Sequence, residues 1–306
     1  MRTSDGTPRL PGDRSVSVAG EELLLTPALF AKFQSLIYSE SGIWLGPQKQ
    51  ALIISRLMRR LRVLGLSTMR EYFHLISQPD QQHERSLMLD CITTNETHFF
   101  REPRHFDYLV QQVFPRWKQE ADAGRRTRYL NIWSAGCASG EEPYSLAMLL
   151  LKYLPPEQGW CVQILGTDIA TGVLEKARTA TFSIDKAREI PRDYLRAFML
   201  KGTKEFSGTM RVMPEVQKIV RFARINLFAD AYAIQGTFDL IFCRNVLIYF
   251  DERSKEKVVA GLVRHLSSSG LLFVGHSEHL HNLSRELRLV TSTVYALKNE
   301  VAQARG

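Results

Sequence analysis

The stretch that decides the fold is Tyr129-Leu-Asn-Ile-Trp-Ser-Ala135, followed by Gly136-Cys-Ala-Ser-Gly140 and Glu141-Glu142-Pro143. The first seven residues are mostly apolar and predict a buried strand, and an apolar run from Tyr144 to Tyr153 predicts a helix. The small residues between them let a ligand approach the backbone. Strand, small-residue loop and helix form the first unit of a doubly wound α/β fold, in which ligands bind at the carboxyl ends of the strands.

A second predicted strand, Cys161 to Thr167, ends in Asp168. An acidic residue there can bind the two hydroxyls of an adenosine ribose. The loop at 136–140 lacks the complete G-x-G-x-x-G of dinucleotide-binding proteins, and two carboxylates follow its last glycine, where they would oppose a pyrophosphate. The pattern favours a cationic cofactor such as S-adenosylmethionine. A plain tight turn and an N-cap role for Asp168 before Ala170 explain the same residues.

Two further predicted strands also end in polar residues. Ile219 to Ile225 leads into Asn226-Leu227, and Phe238 to Cys243 leads into Arg244-Asn245. Side chains at these positions lie where ligands bind in open α/β sheets. The remaining predicted elements are a helix from about Glu252 to Leu266, a turn at Ser267–Gly270, a strand Leu271 to Val274 and an antiparallel last strand near Ser292 to Leu297.

About forty charge-rich residues separate the predicted helix Ala170 to Thr179 from the strand that begins at Ile219. Within them, Gly202-Thr-Lys-Glu-Phe-Ser-Gly208 is a hairpin signal. Because the segment is longer than a simple connection, we expect an inserted helix and a small antiparallel β-subdomain at about residues 181–218. Its sheet edge is a candidate peptide-binding site, and a solvent-facing elaboration is an equal alternative.

The N-terminal part predicts a small all-helical domain, with one helix after Thr26-Pro27 and another from about Gln48 to Leu64. Between Ser41 and Arg70 the chain has six basic residues and no acidic ones. Polar helix faces usually mix both signs. This one is therefore either a docking surface for an acidic partner or a solvated face.

The composition of the 306 residues, with 44% hydrophobic and 24% charged side chains, excludes disorder for most of the chain. The longest apolar stretch, Tyr144 to Leu154, is too short to span a bilayer, so direct membrane insertion is not expected. Residues 1–20 are polar and lack a secretory signal, which predicts a disordered leader on a cytoplasmic protein. The four cysteines are widely spaced, so we expect buried thiols and no metal site.

Four stretches resemble the chemotaxis receptor glutamate methyltransferases, the CheR family. They are Thr93–Glu102 (TTNETHFFRE), Trp133–Ser145 (WSAGCASGEEPYS), Phe238–Asp251 (FDLIFCRNVLIYFD) and Gly270–Glu278 (GLLFVGHSE). They occur in the family's order, and the resemblance covers roughly residues 25 to 298.

The resemblance implies a helical N-terminal domain and a Rossmann-like class I S-adenosylmethionine-dependent methyltransferase domain with an inserted β-subdomain. The expected organisation is a leader at 1–20, a helical domain at 21–92, a linker helix and start of the catalytic domain at 93–128, and the methyltransferase domain at 129–306. The implied reaction transfers a methyl group from S-adenosylmethionine to the γ-carboxylate of receptor glutamates. Its products are a glutamate methyl ester and S-adenosylhomocysteine.

The resemblance also implies roles for particular residues. Arg101 and Tyr249 are expected beside the transferred methyl group, where they would position the substrate carboxylate. Without the resemblance, a salt bridge of Arg101 with Glu102 or Asp107 and a half-buried packing role for Tyr249 are the simpler explanations. The cofactor contacts fall on Asn95, Thr97, Arg101, one or both of Glu141 and Glu142, Asp168, Asn226, Leu227, Arg244 and Asn245.

The implied partner is the cytoplasmic helical bundle of a chemoreceptor, which carries acidic faces. Its docking residues would be Arg56, Arg59, Arg60 and Arg62. In some family members the β-subdomain also binds a receptor's C-terminal peptide. We expect a monomer. We also expect no binding to nucleic acid, because no base-methylation motif is present and the basic residues lack interleaved aromatic side chains. The alternatives are a nucleic-acid methyltransferase and a cofactor-binding regulator without catalysis.

Overall fold

The computed structural model describes residues 25–280 and 283–298, so the leader predicted at 1–20 lies outside the described residues. The chain forms two compact units. Of the described residues, the helical unit comprises 25–36 together with Gly46–Ile92, and the catalytic unit comprises Ile37–Leu45 together with 93–280 and 283–298. The first helix, α1 (Pro27–Ser41), contributes to both units.

The helical unit continues with α2 (Gln50–Leu64), α3 (Met69–Ile76) and α4 (Gln82–Ile92). Helix α2 buries one face through Ile53, Leu57 and Leu61, which recur every four residues. It ends at Gly65, whose left-handed backbone (φ 67°) lets the N–H of the next residue, Leu66, reach the carbonyl of Leu61. Helix α3 begins with a capping box between Thr68 and Glu71.

The catalytic unit contains a seven-stranded sheet in the order β6-β2-β1-β7-β8-β10-β9. The five parallel strands are β1 (Tyr129–Ala135), β2 (Cys161–Asp168), β6 (Val220–Arg224), β7 (Phe238–Cys243) and β8 (Leu266–Val274). The last two are β9 (Leu287–Thr291) and β10 (Val294–Leu297); β10 pairs antiparallel with β8, and β9 pairs antiparallel with β10. The strand order reverses between β1 and β7, and this is the switch point at which a doubly wound sheet binds its ligand.

Helices cover both faces of the sheet because the parallel strands bury side chains on both sides. Along β7, Leu240 and Phe242 enter one core, whereas Ile241 and Cys243 enter the other. The helices are α5 (Pro103–Tyr108), α6 (Phe114–Asp122), α7 (Glu141–Tyr153), α8 (Thr171–Thr179) and α11 (Glu252–Arg264). A π turn, Leu109–Val113, joins α5 to α6.

The expected insert between α8 and β6 is present. It contains α9 (Arg192–Phe198), α10 (Pro214–Gln217) and an antiparallel sheet of β3 (Thr181–Ser183), β5 (Thr209–Val212) and β4 (Met199–Lys201), with β5 in the centre. The hairpin signal at 202–208 connects β4 to β5. A 3-10 turn, Ile184–Glu189, follows β3.

Two predictions about the last part of the sheet were wrong. Ser267–Gly270 was expected to form a turn, but β8 begins at Leu266 and runs through these residues. Phe238 of β7 pairs with Leu266, and the register shifts before Leu240 pairs with Leu271. The antiparallel strand β9 was not expected; it is an edge strand with one buried residue, Leu287.

The cysteines differ in exposure, which corrects the expectation that all four are buried. Cys137 and Cys243 are buried, Cys91 is half-buried and Cys161 is exposed. Burial raises the pKa of the Cys91, Cys137 and Cys243 thiols, so these thiols stay protonated at neutral pH. Among residues 25–280 and 283–298, no helix is long and apolar enough to cross a membrane.

Candidate active site

The loop from Gly136 to Gly140 leaves the carboxyl end of β1 and is held by its neighbour β2. The N–H groups of Gly136 and Cys137 donate to the carbonyl of Thr167 at 2.7 and 2.8 Å. Gly136 has φ 85°, and a Cβ added there would lie 2.3 Å from Val246 Cγ2. The position therefore requires glycine both for its backbone conformation and for its contact with the loop after β7.

Asp168, at the end of β2, ties this loop to the start of α8. Its Oδ2 accepts from the N–H of Ala138 at 2.9 Å, and its Oδ1 accepts from the N–H of Ala170 at 3.0 Å. The second bond binds the backbone N–H of Ala170, the N-cap residue of α8, so Asp168 also stabilises the turn that leads into this helix. The carboxylate lies at the sheet edge predicted for ribose binding, and the ribose contact itself stays a prediction.

Glu141 and Glu142, at the start of α7, have separate partners. The carboxylate of Glu141 is 1% exposed; it accepts from Ser139 Oγ at 2.7 Å and forms an ion pair with Lys186 Nζ at 2.5 Å. The carboxylate of Glu142 accepts from Ser134 Oγ at 2.7 Å and from Arg244 Nη1 at 3.1 Å. Burial raises the pKa of Glu142 above its usual value, although Arg244 opposes this effect.

Arg244, directly after β7, is the centre of a buried ion-pair network, with its side chain 1% exposed. Besides Glu142, its guanidinium pairs with Glu102 at 3.2 Å and donates to the backbone carbonyl of Arg101. Burial raises the pKa of Glu102, but Arg244 and the N–H of His276 outweigh it and hold the pKa below its usual value. The guanidinium thus fixes the backbone of Arg101, a contact that the sequence did not reveal.

The loop after Arg244 is held by Glu278, which lies four residues beyond the end of β8. Its Oε2 accepts from the N–H groups of Asn245 and Gly275 at 2.8 and 2.7 Å, and its Oε1 accepts from the N–H of Ile248 at 3.2 Å. Asn245 has a left-handed backbone (φ 59°). Its Oδ1 is buried without a hydrogen-bond partner in the part of the chain that the structure describes.

Arg101 and Tyr249 hydrogen-bond to the same short segment. Arg101 Nη1 donates to the carbonyl of Glu96 at 3.1 Å, and the Tyr249 hydroxyl donates to the carbonyl of Thr94 at 3.4 Å. The structure therefore brings the two predicted catalytic side chains to backbone groups two residues apart. Within the described residues, Arg101 has no ion pair with Glu102 or Asp107, so the simpler explanation of its role is not supported.

The other predicted cofactor residues lie on this same edge of the catalytic unit. Asn95 Nδ2 donates to Thr93 Oγ1 at 3.2 Å, and the carbonyl of Thr97 accepts from Lys186 at 3.2 Å. The Asn226 side chain donates to the carbonyl of Glu40 at 2.7 Å and accepts from the N–H of Phe228 at 3.0 Å. Leu227 is buried, as an apolar contact residue would be.

In the helical unit, the four predicted docking arginines differ in their surroundings. Arg59 and Arg62 are exposed. Arg60 forms an ion pair with the buried Glu84, which also accepts from the Tyr72 hydroxyl at 2.9 Å, and Arg56 donates to the carbonyl of Ile92. The expectation that Arg60 faces an external partner is therefore corrected, because its guanidinium is used inside the unit.

The residues at this edge fit S-adenosylmethionine. The glycine turn lets a ligand approach the backbone, the carboxylates of Glu141 and Glu142 suit an ammonium group, and that of Asp168 suits ribose hydroxyls. The unpartnered Asn245 Oδ1 is a buried acceptor of the kind that a bound donor group satisfies. No group of three or more His, Cys, Asp or Glu side chains in residues 25–280 and 283–298 could hold a metal ion.

The chain is similar to known proteins over most of its length. Residues 95–296 match the CheR methyltransferase SAM binding domain, and residues 28–93 match the CheR methyltransferase all-alpha domain.

Among the relatives, a chemotaxis protein methyltransferase of Escherichia coli (strain K12) is 38% identical over 281 residues, which cover 92% of this chain and 94% of that protein. Chemotaxis protein methyltransferase 2 of Pseudomonas aeruginosa is 39% identical over 285 residues, or 90% of this chain and 95% of that protein. A chemotaxis protein methyltransferase of Borreliella burgdorferi is 33% identical over 272 residues, covering 89% and 94%. The chain therefore belongs to the CheR family of S-adenosylmethionine-dependent chemotaxis protein methyltransferases.

Proposed function

We propose that this chain transfers the methyl group of S-adenosylmethionine to the γ-carboxylate of glutamates in the cytoplasmic helical bundle of chemoreceptors. The products are a glutamate methyl ester and S-adenosylhomocysteine. The observation that carries this proposal is the pair of side chains at the sheet edge: Arg101, without a carboxylate partner among the described residues, and Tyr249, anchored to the same segment.

The nucleophile needs no general base. A glutamate side chain has an unperturbed pKa of about 4.3, so it is already ionised at neutral pH. The cofactor supplies an electrophilic methyl group on a cationic sulfur. The task of the protein is to hold the carboxylate in line with this methyl group and to exclude water.

Arg101 and Tyr249 perform this positioning. A guanidinium can bind a carboxylate through two N–H groups, and a phenol can donate one directed hydrogen bond. The bond from Tyr249 to the carbonyl of Thr94 is long, at 3.4 Å, so the hydroxyl loses little when it turns to a substrate oxygen. Arg244 supports the arrangement by holding the backbone of Arg101.

For the cofactor we assign contacts to Asn95, Thr97, Arg101, one or both of Glu141 and Glu142, Asp168, Asn226, Leu227 and Asn245. Glu141 follows the last glycine directly and hydrogen-bonds to Ser139 of the loop. Glu142 is instead engaged by Ser134 and Arg244. Glu141 is also paired with Lys186, so both carboxylates are engaged within the catalytic unit. One or both of them bind the amino group of the cofactor, and the Arg244 side chain acts through the ion-pair network.

The proposed receptor contact begins at the exposed Arg59 and Arg62 of α2, because an acidic helical bundle complements their charge. The open edges of the insert's sheet, β3 and β4, are of the kind to which an extended peptide adds as a further strand. We propose a monomer that acts in the cytoplasm on such receptors.

The direct test incubates the purified chain with methyl-labelled S-adenosylmethionine and a receptor signalling fragment, with RNA as a second substrate. Carboxyl methyl esters hydrolyse in mild alkali, whereas N-methyl groups do not. We expect label on the receptor fragment that alkali releases as methanol. Alkali-stable label on RNA, or bound cofactor without any transfer, would refute the proposed reaction.

A further inference from the structure

Two of the large apolar side chains exposed on the catalytic unit belong to residues beside Tyr249. Ile248, which directly precedes it, is 49% exposed, and Trp44, in the segment after α1, is 52% exposed. The N–H of Trp44 donates to the carbonyl of Tyr249 at 2.9 Å, and Ile43 forms an isolated antiparallel bridge with Phe250. The backbone that carries an exposed indole therefore lies directly beside that of the tyrosine proposed to position the substrate.

The indole of Trp44 is held in place by contacts within the catalytic unit. Its ring meets the ring of Tyr38 edge-on, with centroids 6.1 Å apart and planes at 90°. The Tyr38 hydroxyl donates to Asp251 Oδ2 at 3.1 Å and accepts from Ser254 Oγ at 3.2 Å. A side chain that is already fixed loses little conformational freedom when a partner packs against it.

The location of Trp44 and Ile248, which we call the apolar pair, distinguishes them from other exposed apolar residues. A single exposed apolar side chain is normal on a protein surface. Tryptophan is, however, among the residues that contribute most to binding energy once a partner covers them. Any helix that brings a glutamate to Tyr249 also brings its neighbouring side chains towards the apolar pair.

The spacing of the two elements identifies which neighbours these are. Adjacent antiparallel strands lie about 5 Å apart. Side chains three or four positions apart on a helix are separated by about 5–6 Å. Because these distances match, a helix that presents its glutamate to Tyr249 presents a residue one turn away to Trp44. An apolar side chain there would remove indole surface from water, whereas a charged one would lose hydration.

We propose that Trp44, together with Ile248, is a specificity determinant of the methyl transfer, which binds the residue one helical turn from the target glutamate and selects an uncharged side chain there. This inference rests on the proposed function, because it takes a receptor helix as the substrate. It differs from the charge contact proposed for Arg59 and Arg62, since salt does not screen an apolar contact.

The test measures kcat and KM with the receptor fragment, and the Kd for S-adenosylhomocysteine by calorimetry, for the full chain and its variants. Trp44→Ala keeps the backbone N–H, and its KM should rise roughly ten- to thirtyfold, the scale of a truncated tryptophan at an interface. Its kcat and Kd should stay within about twofold of wild type, since the apolar pair binds only the receptor. Trp44→Phe should restore most of the KM, and Ile248→Ala should raise it less. Tyr129→Ala, at an exposed aromatic residue that begins β1, is the matched control.

Changes in the receptor fragment separate a direct contact from a general effect of the mutation. Four fragments each carry an aspartate three or four positions before or after the methylated glutamate. At one or more of these positions the aspartate should raise KM about tenfold for wild type and less than about threefold for Trp44→Ala. The absence of such a difference at all four positions would overturn the proposal.

Two further outcomes distinguish this inference from the proposed function. Receptor methylation with a wild-type KM in Trp44→Ala would overturn this inference alone. A wild-type chain that binds S-adenosylhomocysteine but methylates no receptor fragment would overturn the proposed function and this inference with it. If the thermal midpoint shows that Trp44→Ala does not fold, Trp44→Leu provides the same comparison with a smaller apolar side chain.

Discussion

Single side chains at the sheet edge differ in what fixes them. The guanidinium of Arg101 has one hydrogen bond to a backbone carbonyl, while that of Arg244 is surrounded by two carboxylates and a carbonyl. A side chain with spare donors can bind a substrate, whereas a saturated one supports its neighbours. This difference separates the proposed catalytic arginine from the structural one.

For Arg101→Ala we expect kcat to fall by at least about a hundredfold, the scale of a lost charge-assisted contact in the transition state, with an unchanged thermal midpoint. Tyr249→Phe should lower kcat by about tenfold, since one neutral hydrogen bond is lost. Steady-state kinetics with the receptor fragment and S-adenosylhomocysteine titrations measure both effects. A Tyr249→Phe variant changed only in cofactor affinity would contradict the positioning role.

His105 is a titratable side chain that the mechanism does not use. It is 3% exposed, packs against Phe273 with centroids 5.3 Å apart, and has its Nε2 2.8 Å from Thr293 Oγ1. Burial and the positive charge of Arg244 lower its pKa to about 4, although Glu102 acts in the opposite direction. The folded catalytic unit therefore keeps His105 neutral at pH values where the unfolded chain protonates it.

The sign of the pH effect follows from this difference. Above the unfolded pKa of about 6.5, His105 is neutral in both states and the free energy of unfolding is unaffected by its titration. As the pH falls from 6.5 towards 4, the unfolded chain takes up the proton and the free energy of unfolding decreases. At pH 5 this loss is about 2 kcal/mol. Urea unfolding followed by tryptophan fluorescence reports on the catalytic unit, which contains Trp44, Trp117, Trp133 and Trp160. Between pH 7 and pH 5, the free energy of unfolding should decrease less in His105→Asn than in the wild type. An equal decrease in wild type and variant would contradict the role of His105 in this loss of stability.

At the scale of elements, loops after neighbouring strands position one another. Gly136 after β1 contacts Val246 after β7, and Glu278 after β8 binds N–H groups of Asn245 and Ile248. The carboxylate of Glu278 serves as a buried connector for three backbone donors. Because Glu278 follows β8, the conformation of the loop at 245–249 depends on this neighbouring strand.

Glu278→Gln tests this connection with little change of shape. The amide has one oxygen in place of two, so at least one of the three backbone donors loses its acceptor. We expect the unfolding free energy to fall by about 1–3 kcal/mol and kcat to fall about tenfold, because Tyr249 lies in the same loop. Glu252→Gln, at an exposed glutamate of α11, is the matched control. Wild-type kcat in Glu278→Gln would show that the loop keeps its shape without the carboxylate.

The sequence predicted strands well where an apolar run ended in polar residues, as in β1, β2 and β7. It failed at Ser267–Gly270, because three serines and a glycine resemble a turn and only pairing with β7 makes them a strand. It also missed β9, a short edge segment that becomes a strand through its pairing with β10. Tertiary pairing decides such segments more than local preference does.

At the scale of the whole molecule, a net charge of +8 is distributed over two units. The helical unit displays Arg59 and Arg62 at its surface, while its Arg60 neutralises a buried glutamate. Surface charges of this kind raise association rates with acidic partners and are screened by salt.

Reversal of the exposed pair, Arg59→Glu with Arg62→Glu, should raise the KM for the receptor fragment by about tenfold or more at low salt, with the Kd for S-adenosylhomocysteine within about twofold. The matched control reverses two exposed charges elsewhere, Lys176→Glu with Arg253→Glu. Raising the salt concentration should reduce the difference in KM between the wild type and the variant, because salt screens surface charges. Equal losses in receptor and cofactor binding would assign the pair a structural role.

The site shows a similar division between what the sequence predicts and what it does not. Asp168 and Asn245 could be placed at the sheet edge because strand ends are readable along the chain, whereas Arg101 was assigned only through the family resemblance. Lys186, Glu102 and Glu278 could not be assigned roles, because their partners are distant in sequence and are joined to them only by the fold.

The distribution of thiols has a practical consequence for experiments on this protein. Thiol reagents act on the thiolate, so the protonated, shielded Cys137 and Cys243 should be spared and the exposed Cys161 modified first. Cys161 starts β2 and Asp168 ends it, which separates them by roughly 23 Å. The native chain thus offers a fluorophore attachment point remote from its chemistry, and ligand arrival could be followed by energy transfer without engineering a cysteine.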